Sequence, residues 1–375
     1  MKNHKLLEVA KVFFKLGCFA FGGPAAHIAM MEEEVVNKRK WMDRQHYLDL
    51  IGATNLIPGP NSTEMTMHCG HERAGFKGLF VAGIAFIFPA VVITGFLGWL
   101  YGEYGELPEV EPFVKGIKPA VLAIIASAIL KLGKKALKGW ELVVLGIVVL
   151  VISLLGINEV LALLGAGIVG ALYFYSKHKI NDSPKSIIPL TLLHISGSTL
   201  AKLTTAKVFL TFLKVGAVLY GSGYVLFAYL DAELVDVGWM TRQELLDAIA
   251  VGQFTPGPVL STATFIGYQL TGFWGALVAT AGIFLPSFLF VLILNPLIPR
   301  IRKSKLLCSF LDSVNVAAVA VMVAVLFVMS WETLVDWKTI MIATISALIT
   351  FRFKTISVVW TILGSSLLGY LLNFI

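Results

Sequence analysis

The residues best suited to chemistry follow two Pro-Gly-Pro sequences. The first lies in Asn55-Leu-Ile-Pro-Gly-Pro-Asn-Ser-Thr-Glu64, and the second lies in Gln253-Phe-Thr-Pro-Gly-Pro-Val-Leu-Ser-Thr262. A helix that begins after such a break presents unpaired backbone N–H groups and the positive end of its dipole. Hydroxyl side chains in the first turn of each helix add further hydrogen-bond donors. The pattern therefore predicts a binding site for a small anion.

The residues around these breaks are the predicted anion contacts. In the first half of the chain they are Asn55, Pro58, Gly59, Asn61, Ser62 and Thr63, and in the second half they are Gln253, Pro256, Gly257, Ser261 and Thr262. The alternative is a pair of structural helices kinked by proline, which removes a backbone hydrogen bond. We favour a binding site because the motif occurs twice, and because a freed backbone group is costly at membrane depth unless it lines a cavity or packs on protein.

A second break precedes each Pro-Gly-Pro sequence. Phe21-Gly-Gly-Pro24 in the first half corresponds to Tyr220-Gly-Ser-Gly223 in the second. Small residues here allow the backbone to unwind or to approach a bound anion, and His27 could donate a hydrogen bond to that anion. The alternative for each is close packing between helices. The candidates from these breaks are Gly22, Gly23, His27, Gly221 and Ser222.

Two lysines stand at equivalent positions inside apolar stretches, Lys15 and Lys214. A lysine at the centre of a membrane helix costs about 2.5–3.5 kcal/mol on insertion scales, so it commonly has a function. Its compact ammonium group suits a tetrahedral oxyanion. The alternative is that each side chain extends to the membrane surface.

Two titratable residues follow only the first Pro-Gly-Pro sequence. Glu64 and His68 are four residues apart, so they share one face of a helix. The second half has no titratable residue at the matching positions. An acid that breaks the symmetry of a repeated frame predicts a proton-coupling group. The alternative is a polar contact near the end of the helix.

Asp49 and Asp247 are also equivalent, and each lies shortly before a Pro-Gly-Pro sequence. We expect them to pair with a basic residue such as Arg44 or Arg242 and so to orient the segment. A cation or proton site is the alternative for both residues.

The elements that position these residues are membrane helices. The chain has 375 residues, of which 57% are hydrophobic and only 14% are charged. This composition excludes most soluble proteins and predicts a polytopic membrane protein. The predicted apolar spans cover 78–101, 142–155, 159–175, 273–297, 314–330, 338–350 and 357–372.

The same residue pattern occurs twice along the chain. Lys15 and Gly17 match Lys214 and Gly216, and the Pro-Gly-Pro sequences follow in register. Further on, Gly75-Phe76 matches Gly272-Phe273 and Pro89 matches Pro286. So many ordered identities indicate an internal duplication. The predicted domains are a first transmembrane repeat over 1–175, a cytoplasmic linker over 176–205 and a second transmembrane repeat over 206–375.

Matched loops carry opposite charge. The loop at 103–111 is acidic and its counterpart at 300–305 is basic, whereas the basic loop at 131–138 has a counterpart with two acids at 332–336. Because lysine and arginine mark the cytoplasmic side, the repeats are predicted to insert with opposite orientation. The side of the N-terminus stays open. The predicted fold class is therefore an all-α polytopic membrane protein with an inverted internal repeat and re-entrant or broken helices at the Pro-Gly-Pro motifs.

Common enzyme signatures are missing from the sequence. It contains no Walker A sequence, no His-Glu-x-x-His and no Gly-x-Ser-x-Gly. Its cysteines, Cys18, Cys69 and Cys308, form no C-x-x-C pair, and we expect them to be apolar packing residues. The net charge of +7 fits basic cytoplasmic loops. We expect no enzymatic activity, no cofactor, no metal and no nucleic-acid partner.

These motifs resemble those of the chromate ion transporter family in its two-domain form. The resemblance rests on Phe21-Gly-Gly-Pro-Ala-Ala-His27, Pro58-Gly-Pro-Asn-Ser-Thr-Glu64 and the second Pro256-Gly-Pro258. It implies export of chromate across the bacterial cytoplasmic membrane by a multi-pass secondary transporter or antiporter. The second copy has Tyr220-Gly-Ser-Gly223 where the first has Phe-Gly-Gly-Pro, so the two halves would contribute unequally to the site.

Two other function classes remain open. An anion channel would use the same helix dipoles without a closed intermediate. A membrane-embedded enzyme for phosphate-bearing lipids would use Glu64 and His68 as acid and base. Sulfate has the same charge as chromate and nearly the same shape. The choice between these anions, the coupling ion, the direction and the oligomeric state, with a homodimer as one option, therefore also stay open.

Overall fold

The computed structural model describes residues 2–21, 24–54, 57–105, 107, 109–157, 159–178, 203–220, 223, 225–294, 305–353 and 356–374. Within these ranges the chain forms helices joined by short connections and includes no β-strand. The prediction of an all-α fold is therefore confirmed. Some predicted site residues lie outside the described ranges, as does most of the predicted linker: Gly22, Gly23, Asn55, Gly221 and Ser222.

The helices follow the same order in both halves, which confirms the internal repeat. In the first repeat they are α1 (Lys2–Phe19), α2 (Pro24–Glu32), α3 (Arg44–Thr54), α4 (Asn61–Tyr104), α5 (Glu111–Ala136), α6 (Trp140–Leu154) and α7 (Glu159–His178). In the second they are α8 (Thr205–Val218), α9 (Leu226–Leu230), α10 (Arg242–Phe254), α11 (Thr262–Leu294), α12 (Lys305–Thr333), α13 (Trp337–Arg352) and α14 (Val358–Leu372). A short π-helical turn continues α2 over Glu33–Lys38 and α9 over Asp231–Val235.

Side chains cap α3 and α10, the helices that lead into the two breaks. Thr241 and Glu244 form a capping box at the start of α10. The carboxylate of Asp43 accepts a hydrogen bond of 2.8 Å from the backbone N–H of His46 at the start of α3. Both caps satisfy N–H groups that lack an intrahelical partner.

Helices α4 and α11 are each folded back on themselves. Gly75 has φ 67° and Gly272 has φ 69°, a left-handed conformation that glycine adopts without a steric penalty. In the first repeat, a methyl group at Gly70 would collide with the carbonyl of Gly78. Each element is thus a short helix, 61–73 or 262–270, that packs tightly against a long one.

Apolar helices long enough to cross a membrane support the polytopic prediction. By length and composition these are Asn61–Tyr104, Glu111–Ala136, Val259–Ile293 and Cys308–Thr333, and shorter apolar helices lie at Trp140–Leu154, Leu161–Phe174 and Val358–Leu372. Large apolar side chains such as Phe96, Trp140 and Trp274 are exposed on the outside. Such a surface suits lipid better than water.

The two repeats are built around the contact between α4 and α11. α1 packs on α4 and α8 packs on α11, and in each pair a glycine permits the close approach: Gly17 lies against the carbonyl of Phe86, and Gly216 against that of Ile283. In the outer layer, α5 packs on α13 and α14, whereas α12 packs on α6 and α7. The last two helices of each repeat therefore pack on a long helix of the other repeat. The helices α6 and α7 pack on α12, and α13 and α14 pack on α5.

Candidate functional site

Each Pro-Gly-Pro break contacts the broken first helix of the opposite repeat. The N–H of Gly59 donates to the carbonyl of Leu219, one residue beyond the end of α8, over 2.6 Å. The N–H of Gly257 donates to the carbonyl of Ala20, one residue beyond the end of α1, over 2.9 Å. Both glycines have positive φ, 139° and 88°. Each break is thus buried and pairs a backbone N–H with the opposite repeat.

The helices that follow the breaks begin without a capping side chain. Pro60 is the N-cap residue of α4, and Pro258 is that of the short 3-10 turn Val259–Ser261 that leads into α11. Neither makes a side-chain cap hydrogen bond. In the turn that follows, Thr63 and its counterpart Ser261 are fully buried. Neither hydroxyl has a hydrogen-bond partner among the described residues. Because buried polar groups are normally paired, these equivalent hydroxyls are candidate ligand donors.

Glu64 lies in the same turn and is completely buried. Neither of its carboxyl oxygens has a hydrogen-bond partner within the described part of the chain. A methyl group placed on Gly59 would collide with Glu64 Oε1 and would lie 2.5 Å from Ser287 Oγ. Glu64 and Ser287 therefore border the same position beside the first break, and Tyr220 is close enough to interact electrostatically with Glu64.

The second break has no such acid. Thr262, the counterpart of Glu64, donates its hydroxyl to the carbonyl of Val259 over 2.7 Å. A methyl group on Gly257 would lie 2.9 Å from the Cβ of Ala90, which occupies the place of Ser287 after Pro89. The backbone arrangement is thus repeated, whereas the titratable carboxyl and the neighbouring hydroxyl occur once.

The side chain of His27, in α2, contacts the backbone just beyond the end of α1. Its Nε2 lies 3.0 Å from the carbonyl of Ala20, the same acceptor that receives the N–H of Gly257. The ring is buried and meets Phe86 edge-on at 5.6 Å between centroids. Nδ1 has no hydrogen-bond partner among the described residues. His27 and the second Pro-Gly-Pro break therefore share one backbone acceptor, the carbonyl of Ala20.

Lys15 and Lys214 pair with equivalent glutamates. Lys15 Nζ lies 4.0 Å from Glu34 Oε1, and Lys214 Nζ lies 2.6 Å from Glu233 Oε1. The lysine side chains are 68% and 42% exposed, whereas those of the glutamates are 12% and 13% exposed. The structure thus places both lysines in ion pairs with glutamates of the π-helical turns.

The other predicted site residues surround the breaks. Pro58 is buried beside Gly59, and Ser62 and His68 are buried on the helix that follows. Asn61 is partly buried at the start of that helix. In the second repeat, Pro256 is buried, and Gln253 Nε2 is buried without a hydrogen-bond partner in the described ranges.

Asp247 pairs with a basic residue, as expected, but this residue is Lys118 and not Arg242. Asp247 Oδ2 accepts from Tyr101 over 2.6 Å and lies 3.3 Å from Lys118 Nζ. Arg242 instead pairs with Asp231 at 2.7 Å and with Glu332 at 2.6 Å. Arg44 pairs with Glu32 at 3.0 Å. A local pairing rule failed because α10 packs against α5 of the other repeat, which brings Lys118 to Asp247.

Sequence reasoning missed Ser287 and the two carbonyl acceptors. Ala20 and Leu219 act through their backbones, so their side chains carry no signal. Ser287 did carry one, since it follows Pro286 where Ala90 follows Pro89. A polar residue that replaces an apolar one in an otherwise matched, buried segment marks a candidate for function.

A family model described as Chromate transporter matches the chain twice, over residues 7–171 and 206–370. A probable chromate transport protein of Synechococcus elongatus is 31% identical, over 93% of this chain and 91% of its own length. A chromate transport protein of Cupriavidus metallidurans is 28% identical, over 98% of this chain and 93% of its own length.

A smaller relative matches half of the chain. An uncharacterized transporter of Bacillus subtilis is 28% identical over 48% of this chain and 94% of its own length. A relative of this size matches the duplication seen in the sequence and in the order of the helices. No solved structure matches the chain.

Proposed function

The chain belongs to the chromate transporter family, and from this premise we propose that it exports a small oxyanion, chromate first among candidates, across the bacterial cytoplasmic membrane by secondary transport. The observation that carries the proposal is the pair of buried hydroxyls at equivalent places after the two breaks. Thr63 and Ser261 have no hydrogen-bond partner among the described residues. Each lies at the uncapped, positive end of a helix.

The oxyanion binds to these hydroxyls and to backbone N–H groups of the first helical turns. Both hydroxyls are fully buried, so the anion enters after the repeats move apart. The carbonyls of Ala20 and Leu219 hold the breaks in the closed arrangement through the N–H groups of Gly257 and Gly59. In an inverted repeat with re-entrant segments, one repeat rocks against the other to give alternating access.

The membrane potential drives export. Moving one elementary charge through the membrane changes the free energy by about 2.3 kcal/mol per 100 mV. A dianion that leaves a negative-inside cell alone gains twice this amount, and one that leaves with a proton carries a net charge of −1 and gains it once. Export of chromate or sulfate therefore needs little further coupling, whereas uptake needs a great deal.

Glu64 couples a proton to the movement, with His68 on the same helix. A carboxylate without partners is strongly destabilised in an apolar environment, so the buried Glu64 side chain is neutral in the closed arrangement. Opening toward water permits ionisation, and an anionic Glu64 next to the site repels the oxyanion. Proton release and anion release therefore accompany each other.

Lys15 and Lys214 supply positive charge at the approach to the site. Their ion pairs with Glu34 and Glu233 are partly exposed, and exposed ion pairs contribute only about 0–1 kcal/mol. An incoming oxyanion can therefore replace the glutamate as the partner of the lysine.

The test is uptake of labelled chromate and labelled sulfate into inverted membrane vesicles, with and without an imposed potential. Potential-driven, saturable accumulation of chromate is expected. Saturable exchange against an opposing gradient distinguishes a transporter from a channel. Turnover of a phosphate-bearing lipid in detergent, with no accumulation of anion, would instead favour the enzyme.

The variant Lys214→Gln tests the role of the lysine independently of the buried hydroxyls and the helix N-termini. The variant is expected to raise the KM for chromate and leave the exchange reaction intact. Lys338→Gln is a matched control, because Lys338 donates to the carbonyl of Leu372 at the end of α14. Chromate uptake unchanged by Lys214→Gln would remove the lysine from the site and leave the helix N-termini.

A further inference from the structure

A cavity of about 280 Å³ opens beside the ion pair between Asp247 and Lys118. Its lining comes from three helices and the turn after α4: Tyr101, Gly105, Glu111, Val114, Lys115, Lys118 and Asp247. Asp247 belongs to α10, which leads into the second break, and the other residues belong to the first repeat. The cavity therefore lies at a junction between the repeats.

Asp247 is nearly completely buried, with 4% of its surface exposed. Oδ2 is held by the Tyr101 hydroxyl and the Lys118 ammonium group, but Oδ1 has no hydrogen-bond partner among the described residues. A half-satisfied carboxylate at the wall of a polar cavity is accessible to protons and poorly stabilised when charged. The chemistry therefore favours a site that gains and loses a proton.

The charged neighbours of Asp247 are few. α5 contributes Lys118 and, farther out, Lys115 paired with Glu111 at 2.7 Å. α4 contributes the Tyr101 hydroxyl, and Glu244 lies on α10 itself. The neighbouring π-helical turn contributes Asp231, which is paired with Arg242. Neither α11 nor α14, which also pack on α10, contains Asp, Glu, Lys, Arg or His.

The two repeats differ at this place. Residues 245–250 of α10 are all buried against α5, α14 and their surroundings. In the equivalent helix α3, Tyr47 and Leu50 are buried but Leu48 is 46% exposed. Asn315 stands where the repeat would place a counterpart of Lys118. The helix before the second break, α10, is therefore enclosed by the opposite repeat. The helix before the first break, α3, is partly exposed.

We propose that Asp247, Lys118 and Tyr101 form a proton-binding site that locks α10 to the first repeat, and that proton binding from the cavity releases the lock. The proton adds to the Asp247 carboxylate. This removes the negative partner of Lys118, whose ammonium group then turns to the cavity and Glu111. α10 and the second break are then free to move, which gives the transport cycle proposed above a proton-dependent gate distinct from Glu64.

The test measures opening of the cavity without any transported anion. Cys18→Ser and Cys308→Ser remove the accessible thiols, whereas Cys69 is fully buried and stays. Val114→Cys then places one thiol at the cavity. This thiol is labelled with a membrane-impermeant reagent. The thiolate is the reactive form and its fraction falls with pH, so the labelling rate is divided by that of an exposed cysteine in an otherwise identical protein. We expect this normalised rate to rise about tenfold from mildly alkaline to mildly acidic pH, which corresponds to a change of about 1.4 kcal/mol.

Asp247→Asn mimics the protonated state and is expected to give fast labelling at every pH. Asp49→Asn, at the equivalent position in α3, is the matched control and should keep the pH dependence of the parent. Labelling that is equally slow and equally pH-dependent in Asp247→Asn and the parent would overturn the proposal. Labelling of the parent that does not change with pH would also overturn the proposal.

Tyr101→Phe keeps the test valid if Asp247→Asn does not fold. It removes one donor to the carboxylate, so acceleration should begin at a higher pH, and an unchanged profile would contradict the lock. The inference rests on the proposed function, but the two can fail separately. Labelling that depends on pH, without accumulation of chromate, would contradict the proposed substrate. Accumulation of chromate with labelling that does not depend on pH would contradict the proposed gate.

Discussion

The backbone N–H of Gly59 donates to the carbonyl of Leu219 across the boundary between the repeats, over 2.6 Å. Gly257 makes the corresponding bond to Ala20. Each Pro-Gly-Pro break is therefore held by the end of a helix in the other repeat. A movement of one repeat against the other must change both bonds, which couples the two halves of the molecule mechanically.

The first prediction concerns these glycines. Gly59→Ala is expected to lower the transition temperature and abolish transport, because the new methyl group meets Glu64 and Ser287 and the backbone has φ 139°. Overpacking of this kind typically costs about 1–3 kcal/mol, and the positive φ adds to it. Gly257→Ala should behave alike, since φ is 88° and Ala90 is 2.9 Å away.

The control for these variants is Gly165→Ala in α7, where the added methyl group meets nothing within 4 Å. Alanine is favoured over glycine inside a helix by about 1 kcal/mol. Gly165→Ala should therefore keep transport and keep or raise the transition temperature in detergent. A Gly59→Ala protein as stable and active as this control would contradict the proposed tight contact.

The second prediction concerns the buried hydroxyls. Thr63→Val and Ser261→Ala should each raise the KM for chromate by about tenfold or more, because a hydrogen bond to a charged group contributes about 1.5–3 kcal/mol. The transition temperature without substrate should stay near the parent value, since neither hydroxyl has a partner among the described residues.

Thr344→Val in α13 serves as the control for this pair of variants. Its hydroxyl is exposed and bonds only within its own helix, to the carbonyl of Ile340 over 2.8 Å. Kinetics in proteoliposomes should be unchanged. If Thr63→Val and Ser261→Ala also leave KM at the parent value, the two helix starts do not bind the anion.

The third prediction concerns Glu64. Glu64→Gln keeps the size of the buried side chain and removes the exchangeable proton, so the pH profile of chromate transport should change, and only the part that comes from the Asp247 gate should remain. Glu72→Gln is the control on the same short helix, because Glu72 is exposed and pairs with His46 at 3.3 Å. Transport measured over a range of pH in vesicles checks both. An unchanged pH profile in Glu64→Gln would exclude it from coupling.

The fourth prediction concerns the start of α13, outside the membrane spans. The backbone N–H of Thr339 and then its hydroxyl donate to Asp336 and hold the pKa of that carboxyl below its usual value. A lowered folded-state pKa gives stability that is present above the unfolded-state pKa and is lost as pH falls through the folded-state pKa. Asp336→Ala should lower the free energy of unfolding by about 1 kcal/mol at neutral pH.

Asp336→Asn distinguishes the cap from its charge. Asparagine is an equally good N-cap residue, so this variant should keep most of the stability at neutral pH and lose the part that varies with pH. Thermal denaturation in detergent at neutral and strongly acidic pH measures both effects. An Asp336→Ala protein that differs from the parent by the same amount at both pH values would contradict the assigned role of the charge.

Features that depend on local chemistry could be predicted from the amino-acid sequence. Apolar runs predict membrane helices, and Pro-Gly-Pro marks helix ends because proline lacks a donor and glycine accepts positive φ. Thr241-x-x-Glu244 fixed a helix start through bonds within one turn. The duplication was also visible, since matching residues need no folded structure to be compared.

Contacts between distant elements could not be predicted in this way. That Asp247 pairs with Lys118, and that Glu64 and Ser287 flank the same break, depends on contacts between residues far apart in sequence. A local rule assigned Asp247 to Arg242 because a nearby opposite charge costs little chain entropy to reach. Because the packing of α10 on α5 already brings the two helices together, Asp247 pairs with the distant Lys118 at no further cost in chain entropy.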